Sequence, residues 1–435
     1  GTQEIVPNQE LGPDGRAHMG YGHPGFWMLP MKNTRDRATA MMPALLADRM
    51  GEFGLDYCVM YPTGGFATAM QNDDDVRKAA CRAFNIFSAE YFADYSDLMT
   101  PVAVIPMHTP DEAIEEIIYI RESLELKACL FSGMVPRPVP AAEEGDPKAH
   151  RLGSVTYDVF GIDSPYDYDP VWEACLEYGV SPTFHAGGRG YALRRSPTNF
   201  TYNHIGHFAS TAEAICKAMF LGGVTRRFPE LRMGFLEGGT AWACQLYADL
   251  IEHWEKRNRT ALEYNDPANL DHDLMIDLAS EFGPDGMAEM MVDRDSALFA
   301  ALNTAASTND GGQVELDDYA PCEIEKEEDI ADLFVPNFYF GCEADDRLNA
   351  TAFNTEVNPM GSRINALFSS DIGHFDVIHM NRVLPHAWEL VDDGVMDLDD
   401  FREFTFANPA RFWTSNNSDF FAGTNVEAQV AELLK

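Results

Sequence analysis

The chain has 435 residues, 46% of them hydrophobic, which is enough for the core of one large α/β barrel carrying insertions. Its 70 acidic and 31 basic residues give a net charge of −39, which excludes binding to nucleic acid or an anionic membrane through general electrostatics. No apolar run is long enough for a membrane-crossing helix and no secretory leader opens the sequence at Gly1, so a cytoplasmic protein is expected.

Residues 1–37 read as an N-terminal loop region rich in Gly, Pro and Asn, with His18 and His23 in a Gly-rich stretch. From residue 38 to 435 a single domain is expected, opening with an amphipathic helix over 38–54. Strands follow at YCVMYP (57–62), PVAVIP (101–106), KACLFSG (127–133), SPTFHAG (181–187), RMGFLEG (232–238), FYFGCEA (338–344) and ALFSSDIG (366–373). They are continuous apolar runs rather than alternating ones, as in a parallel sheet covered on both faces. Amphipathic helices are expected between them over 73–95, 109–125 and 210–228. The rhythm breaks at about 258–336, an insertion whose end, residues 311–330, holds eight carboxylates and one lysine. A helical tail covers about 395–435.

The repeated strand–helix order predicts an α/β fold, a distorted (β/α)8 TIM barrel with right-handed crossovers. Seven strands are visible where such a barrel has about eight. The other belongs upstream of the 38–54 helix, where residues 1–37 offer no candidate. The first strand is therefore expected to be missing from this chain, or the barrel to be irregular there. The eight cysteines are scattered without a CxxC pair; Cys129 and Cys216 sit in apolar patterns as small buried hydrophobes.

Catalytic groups of (β/α)8 enzymes stand at the C-terminal ends of the strands. Here SPTFHAG ends in His185, RMGFLEG in Glu237, FYFGCEA in Glu343 and ALFSSDIG in Asp371, with His374 just beyond. Singly, each has an ordinary reading as a loop cap or a hydrogen-bonded structural residue. Together they bring imidazole and carboxylate from four strands to one rim, and a divalent metal explains such a set economically. His204 and His207, three positions apart in TYNHIGHFAS, would share one helical face. They are candidate ligands or substrate anchors, or else a helix cap and a packed histidine. Arg189, Arg194 and Arg195 form a basic cluster that suits an anionic substrate part. GGRG (187–190) lacks the Lys-Ser/Thr of a P-loop, and no GxSxG elbow occurs.

FHAGG, the block GGVTRRFPELRMGFLEGGTAWACQLYADLIEHW and SSDIGHFDV resemble the amidohydrolase family 2 group, relatives of aminocarboxymuconate semialdehyde decarboxylase. The resemblance implies a metal at the mouth of a distorted barrel, with His185 matching the fifth-strand histidine and Asp371 the eighth-strand aspartate. The first-strand HxH is absent, Glu237 replaces the sixth-strand histidine, and Glu343 adds a carboxylate on the seventh strand. NHIGHF, CEADD and SDIGHFDV look like the subgroup of TIM-barrel nonheme diiron monooxygenases of the platensimycin-biosynthesis type. That likeness implies an O2-using oxygenase with two irons, hydroxylating an organic acid or its CoA thioester and working as a homo-oligomer, a dimer. In it His185, Glu237, Glu343, Asp371 and His374 hold the metals, with His204 and His207 as further ligands, and Asp371, Glu237 and His374 serve catalysis. The alternatives are a mononuclear Zn or Mn hydrolase or decarboxylase and, in another class, an inactive scaffold.

Overall fold

The computed structural model describes residues 11–24, 31–146, 154–185, 194–264, 269–299 and 317–435. Its strands are β1 (Cys58–Met60), β2 (Met99–Ile105), β3 (Ala128–Phe131), β4 (Val135–Pro138), β5 (Val155–Asp158), β6 (Pro182–Phe184), β7 (Met233–Phe235), β8 (Phe338–Glu343) and β9 (Asn365–Ser369). Seven form one parallel sheet in the order β1-β2-β3-β6-β7-β8-β9, and β4 and β5 pair antiparallel as a separate hairpin. These seven are the runs expected from the sequence, and their order in the sheet is their order along the chain. The architecture is the distorted (β/α)8 type, with β1 and β9 as its edges and no strand before β1 among the described residues.

Two compact units divide the chain. Residues 1–247 and 331–435 make the first, which carries every described strand. Residues 248–330 make the second, overlapping the stretch read as an insertion, with helices Arg259–Leu262, His272–Phe282 and Met287–Val292.

Local signals explain the helices around the barrel. Asp73 caps Asp74–Phe92 by accepting from the Val76 N–H at 3.0 Å. Thr109 and Glu112 form a capping box at the start of Pro110–Glu122. The two helices are tied by Arg77 and Glu112, which pair at 2.8 Å with almost no exposure. The single helix expected over 38–54 is instead two, Thr34–Thr39 and Pro43–Phe53. Pro43 has no N–H to give a continuing helix and opens a new one.

The sheet's register sorts its two faces. Phe131, Phe184, Phe235 and Phe340 are cross-strand partners on four neighbouring strands, with centroids 5.4 to 6.0 Å apart. Helix residues Trp172, Trp242 and Phe334 pack on this row, so it faces outward. Residues of opposite parity face in. Tyr57, Val59, Tyr61, Val102, Ala128, Leu130, Tyr339 and Leu367 share one cluster with Phe412, Trp413, Phe420, Phe421 and Val430 from the C-terminal tail. Gly234 stands where a Cβ would come within 2.9 Å of the Phe412 ring, so the tail reaches the interior only because β7 has no side chain there.

Side chains rather than a ladder close the seam between β9 and β1. Ile372, beyond β9, packs in a cluster with Leu46, Met50, Met99 and Met60. Asp36 accepts from the Met380 N–H at 2.9 Å and pairs with buried Arg49 at 2.8 Å.

Candidate metal centre

Each parallel strand points its C-terminal end at the same rim. β6 leads into His185, β7 through Leu236 into Glu237, and β9 through Ser370 into Asp371. Glu237 and Asp371 both have left-handed backbones, φ 57° and 47°. That conformation costs roughly 1–2 kcal/mol for a residue with a Cβ, and such strain concentrates at functional positions.

The side chains converge. Glu237, Asp371 and His374 offer ligand atoms within 4.8 Å of one another. His185 Nε2 lies 3.2 Å from Glu237 Oε2, and His374 Nδ1 lies 3.8 Å from Glu237 Oε1. Nδ1 of His374 also makes a short hydrogen bond with Asp371 Oδ1, and its Nε2 lies 2.8 Å from Thr63 Oγ1 on the loop after β1.

Electrostatics here are dominated by crowded acids that are mostly half-buried. Burial works to raise the Glu237 carboxyl, but His185 and His374 outweigh it and hold it down at about 2. Burial, together with the Glu237 charge, pushes Asp371 up to about 7 against its hydrogen bond with His374. Burial and then Asp371, Asp376, Glu237 and Asp345 push Glu343 up to about 8. Burial also raises Asp376. His374 rises to about 9, the Asp371 and Glu237 charges overcoming its burial. Among the described residues no lysine or arginine forms an ion pair with these acids; the salt-bridge partners of Glu237 and Asp371 are His185 and His374. The donor set therefore fits a divalent cation, the missing counter-charge for buried carboxylates flanked by imidazoles.

The predicted site residues divide. The structure brings Glu237, Asp371 and His374 together and sets His185 against Glu237. Glu343 is near enough to feel their charge but lies outside the three-residue donor group. His204 and His207 also lie outside it. They do not share one helical face either: His204 ends helix Phe200–His204 and His207 begins His207–Leu221. Gly206, at φ 70°, breaks the chain between them. Their rings nonetheless stand 4.8 Å apart, in an aromatic wall where Phe208 packs on His207 and, with Phe66, edge-on against His185 at 4.9 and 4.7 Å. Arg194 donates to the Ile205 carbonyl and Arg195 to that of Gly20, each at 2.8 Å, while Arg189 lies outside the described residues.

Thr63, Asp376, Phe66 and Phe208 escaped the sequence reading. Asp376 was in view as part of the SDIGHFDV motif. Thr63 carried no local signal, because its partner His374 is 311 positions away.

A solved structure shares the fold, and others are similar over much of the chain. An amidohydrolase from Mycobacterium avium subsp. paratuberculosis K-10 aligns with TM-score 0.51 and 16% identity, covering 86% of this chain and 74% of its own. A dihydroxybenzoic acid decarboxylase from Polaromonas sp. JS666, solved with manganese and 2-nitroresorcinol, aligns with TM-score 0.48 and 16% identity over 86% of each chain. A 5-carboxyvanillate decarboxylase from Sphingomonas paucimobilis gives TM-score 0.46 and 14% identity, over 84% of this chain and 81% of its own. None of the curated proteins searched matches the sequence. Residues 43–287, more than half of the chain, match the family model described as Amidohydrolase, and the chain belongs to that family.

Proposed function

We propose that this chain is a one-metal enzyme, a Zn- or Mn-dependent hydrolase or decarboxylase of a small organic acid. The observation that carries the reading is the donor group of Glu237, Asp371 and His374 beside His185 at the barrel rim. Membership of the amidohydrolase family supports it. Glu237, Asp371 and His374 would hold the ion, with His185 beside them. A divalent ion there supplies Lewis-acid polarisation of a substrate carbonyl or carboxyl oxygen and acidifies water. The chain's own residues handle the proton. Asp371 Oδ1 and His374 Nδ1 share one in the metal-free chain and would give it up in holding the ion, while His374 Nε2 keeps its own toward Thr63 Oγ1. Phe66 and Phe208 flank His185 and exclude water from that side.

A second reading, the platensimycin-type diiron oxygenase acting with O2 on an organic acid or CoA thioester, is favoured by one observation. Glu343 adds a half-buried carboxylate that feels both Asp371 and Asp376. Metal analysis of the purified chain separates the two. One zinc or manganese, with turnover of carboxylic acids unchanged under anaerobic conditions, is expected. Two irons with substrate-dependent O2 uptake overturn the one-metal reading, and a chain that retains no metal points to an inactive scaffold.

A further inference from the structure

Buried polar atoms are nearly always hydrogen-bonded, so each exception calls for an explanation. Two exceptions stand side by side at the rim. Ser132 is 5% exposed and His185 8%, and among the described residues neither Ser132 Oγ nor His185 Nδ1 has a hydrogen-bond partner. The register that pairs Phe131 with Phe184 sets Ser132, one residue beyond β3, abreast of His185, one residue beyond β6. Strand alternation gives Ser132 the parity of Ala128 and Leu130, which lie in the interior cluster, and gives His185 the parity of Thr183. Thr183 accepts from the Tyr61 hydroxyl at 3.0 Å and donates to the Cys129 carbonyl at 2.6 Å, so the polar groups one layer below are satisfied. The unmet capacity begins at the layer of Ser132 and His185. Phe66 and Phe208 border it edge-on to the imidazole.

We infer that Ser132 and the Nδ1 edge of His185 form a subsite for a hydroxyl group of the substrate, on the opposite edge of His185 from Glu237. A serine hydroxyl gives or accepts a hydrogen bond, and an imidazole nitrogen does either according to its tautomer. The group that satisfies both atoms, whichever tautomer is present, is itself donor and acceptor, as a hydroxyl is and a carboxylate is not. The aromatic flank suits an apolar ring or chain carrying that hydroxyl. Ser132 thereby becomes a specificity-determining residue: a site built to hydrogen-bond a hydroxyl discriminates strongly against the analogue that lacks it.

This subsite rests on the metal-enzyme reading for where substrate lies, and the test keeps the two apart. Cyclohexanecarboxylate and its ring-hydroxylated derivatives are titrated calorimetrically into the metal-loaded full chain, wild type, Ser132→Ala and Ser132→Thr. At least one hydroxylated acid is expected to bind the wild type about tenfold more tightly than the parent acid. Ser132→Ala should lose that gain, and Ser132→Thr should keep most of it. Thermal unfolding of Ser132→Ala should not shift downward, because the hydroxyl has no partner to lose among the described residues. No hydroxyl-dependent gain in the wild type, or an equal gain in Ser132→Ala, overturns the subsite. So does a lowered unfolding midpoint of Ser132→Ala, or a crystal structure of the complex with only a water on Ser132 Oγ. Metal content of the same samples is read separately: a metal-free chain that still prefers the hydroxylated acid sinks the proposed function and leaves the subsite standing.

Discussion

Thr63 Oγ1 lies 2.8 Å from His374 Nε2 and joins the first and last strands of the sheet across 311 residues of sequence. With Nδ1 turned to Asp371 and Glu237, the outer nitrogen of the ring is fixed by Thr63. Partners of this kind orient a ligand without touching the ion, and their removal typically costs about 10–100-fold in metal affinity or activity. Thr63→Val should weaken zinc retention by about that factor in competition with a chelator, and Thr63→Ser should restore it. Equal retention in Thr63→Val would show that the ring is held by its other contacts alone.

The carboxylate group gives a metal-dependent stability. Added zinc or manganese should raise the unfolding midpoint of the metal-free wild type, because ligand that binds only the native state stabilises it by mass action. Glu237→Gln and Asp371→Asn should both lose that rise. The metal-free midpoint should stay at or above the wild type's for Asp371→Asn, whose carboxyl is pushed up by burial and the Glu237 charge, and fall for Glu237→Gln, whose charge is held by His185 and His374. Calorimetry with and without the ion reads both effects.

Backbone strain at Glu237 separates stability from function. At φ 57°, Glu237→Gly should be more stable than Glu237→Ala by about 1 kcal/mol, because only the alanine keeps the Cβ that penalises this conformation. Urea unfolding of the two metal-free variants measures the difference, and both should fail to retain metal.

His108 supplies an acid-sensitive element outside the centre. Burial first, then the charges of Arg77 and Arg137, push it down to about 3 from its ordinary 6.5. Its folded value lies below its unfolded value, so between about pH 3 and 6.5 the unfolded chain binds the extra proton. Stability therefore falls as the pH drops through that window, with a slope of at most about 1.4 kcal/mol per pH unit from this group. His108→Gln should flatten the acid limb, measured as denaturation midpoints at pH 4, 5 and 6.5; an unchanged slope would assign the acid sensitivity to other groups.

How much of this was legible depended on distance along the chain. The parallel strands could be read because burial on both faces makes each a continuous apolar run, as in PVAVIP. The β4–β5 hairpin could not: VPRP and VTYD have no such run, and Arg137 holds them through a 2.7 Å pair with Asp158, 21 positions on. His185 and Glu237 were legible as neighbours because they end adjacent strands. His204 and His207 were misread as one helical face, although the Gly206 between them is the residue that breaks helices. Glu343 was named as a ligand from its place on a strand end, and only side-chain geometry shows that it lies outside the tight donor group.

The interior cluster also sets an order of assembly. Leu130 and Val102 from the early strands are buried against Phe412, Phe420 and Val430, about three hundred residues further along. Lys127 at the start of β3 donates to the Phe420 carbonyl. During synthesis the early strands emerge hundreds of residues before the aromatic side chains that fill the space between them. Their apolar inner faces stay uncovered until residues 412–430 have been made, so the barrel floor and the rim above it are finished only then. A nascent chain of this kind spends its synthesis as a client for whatever shields exposed apolar strands.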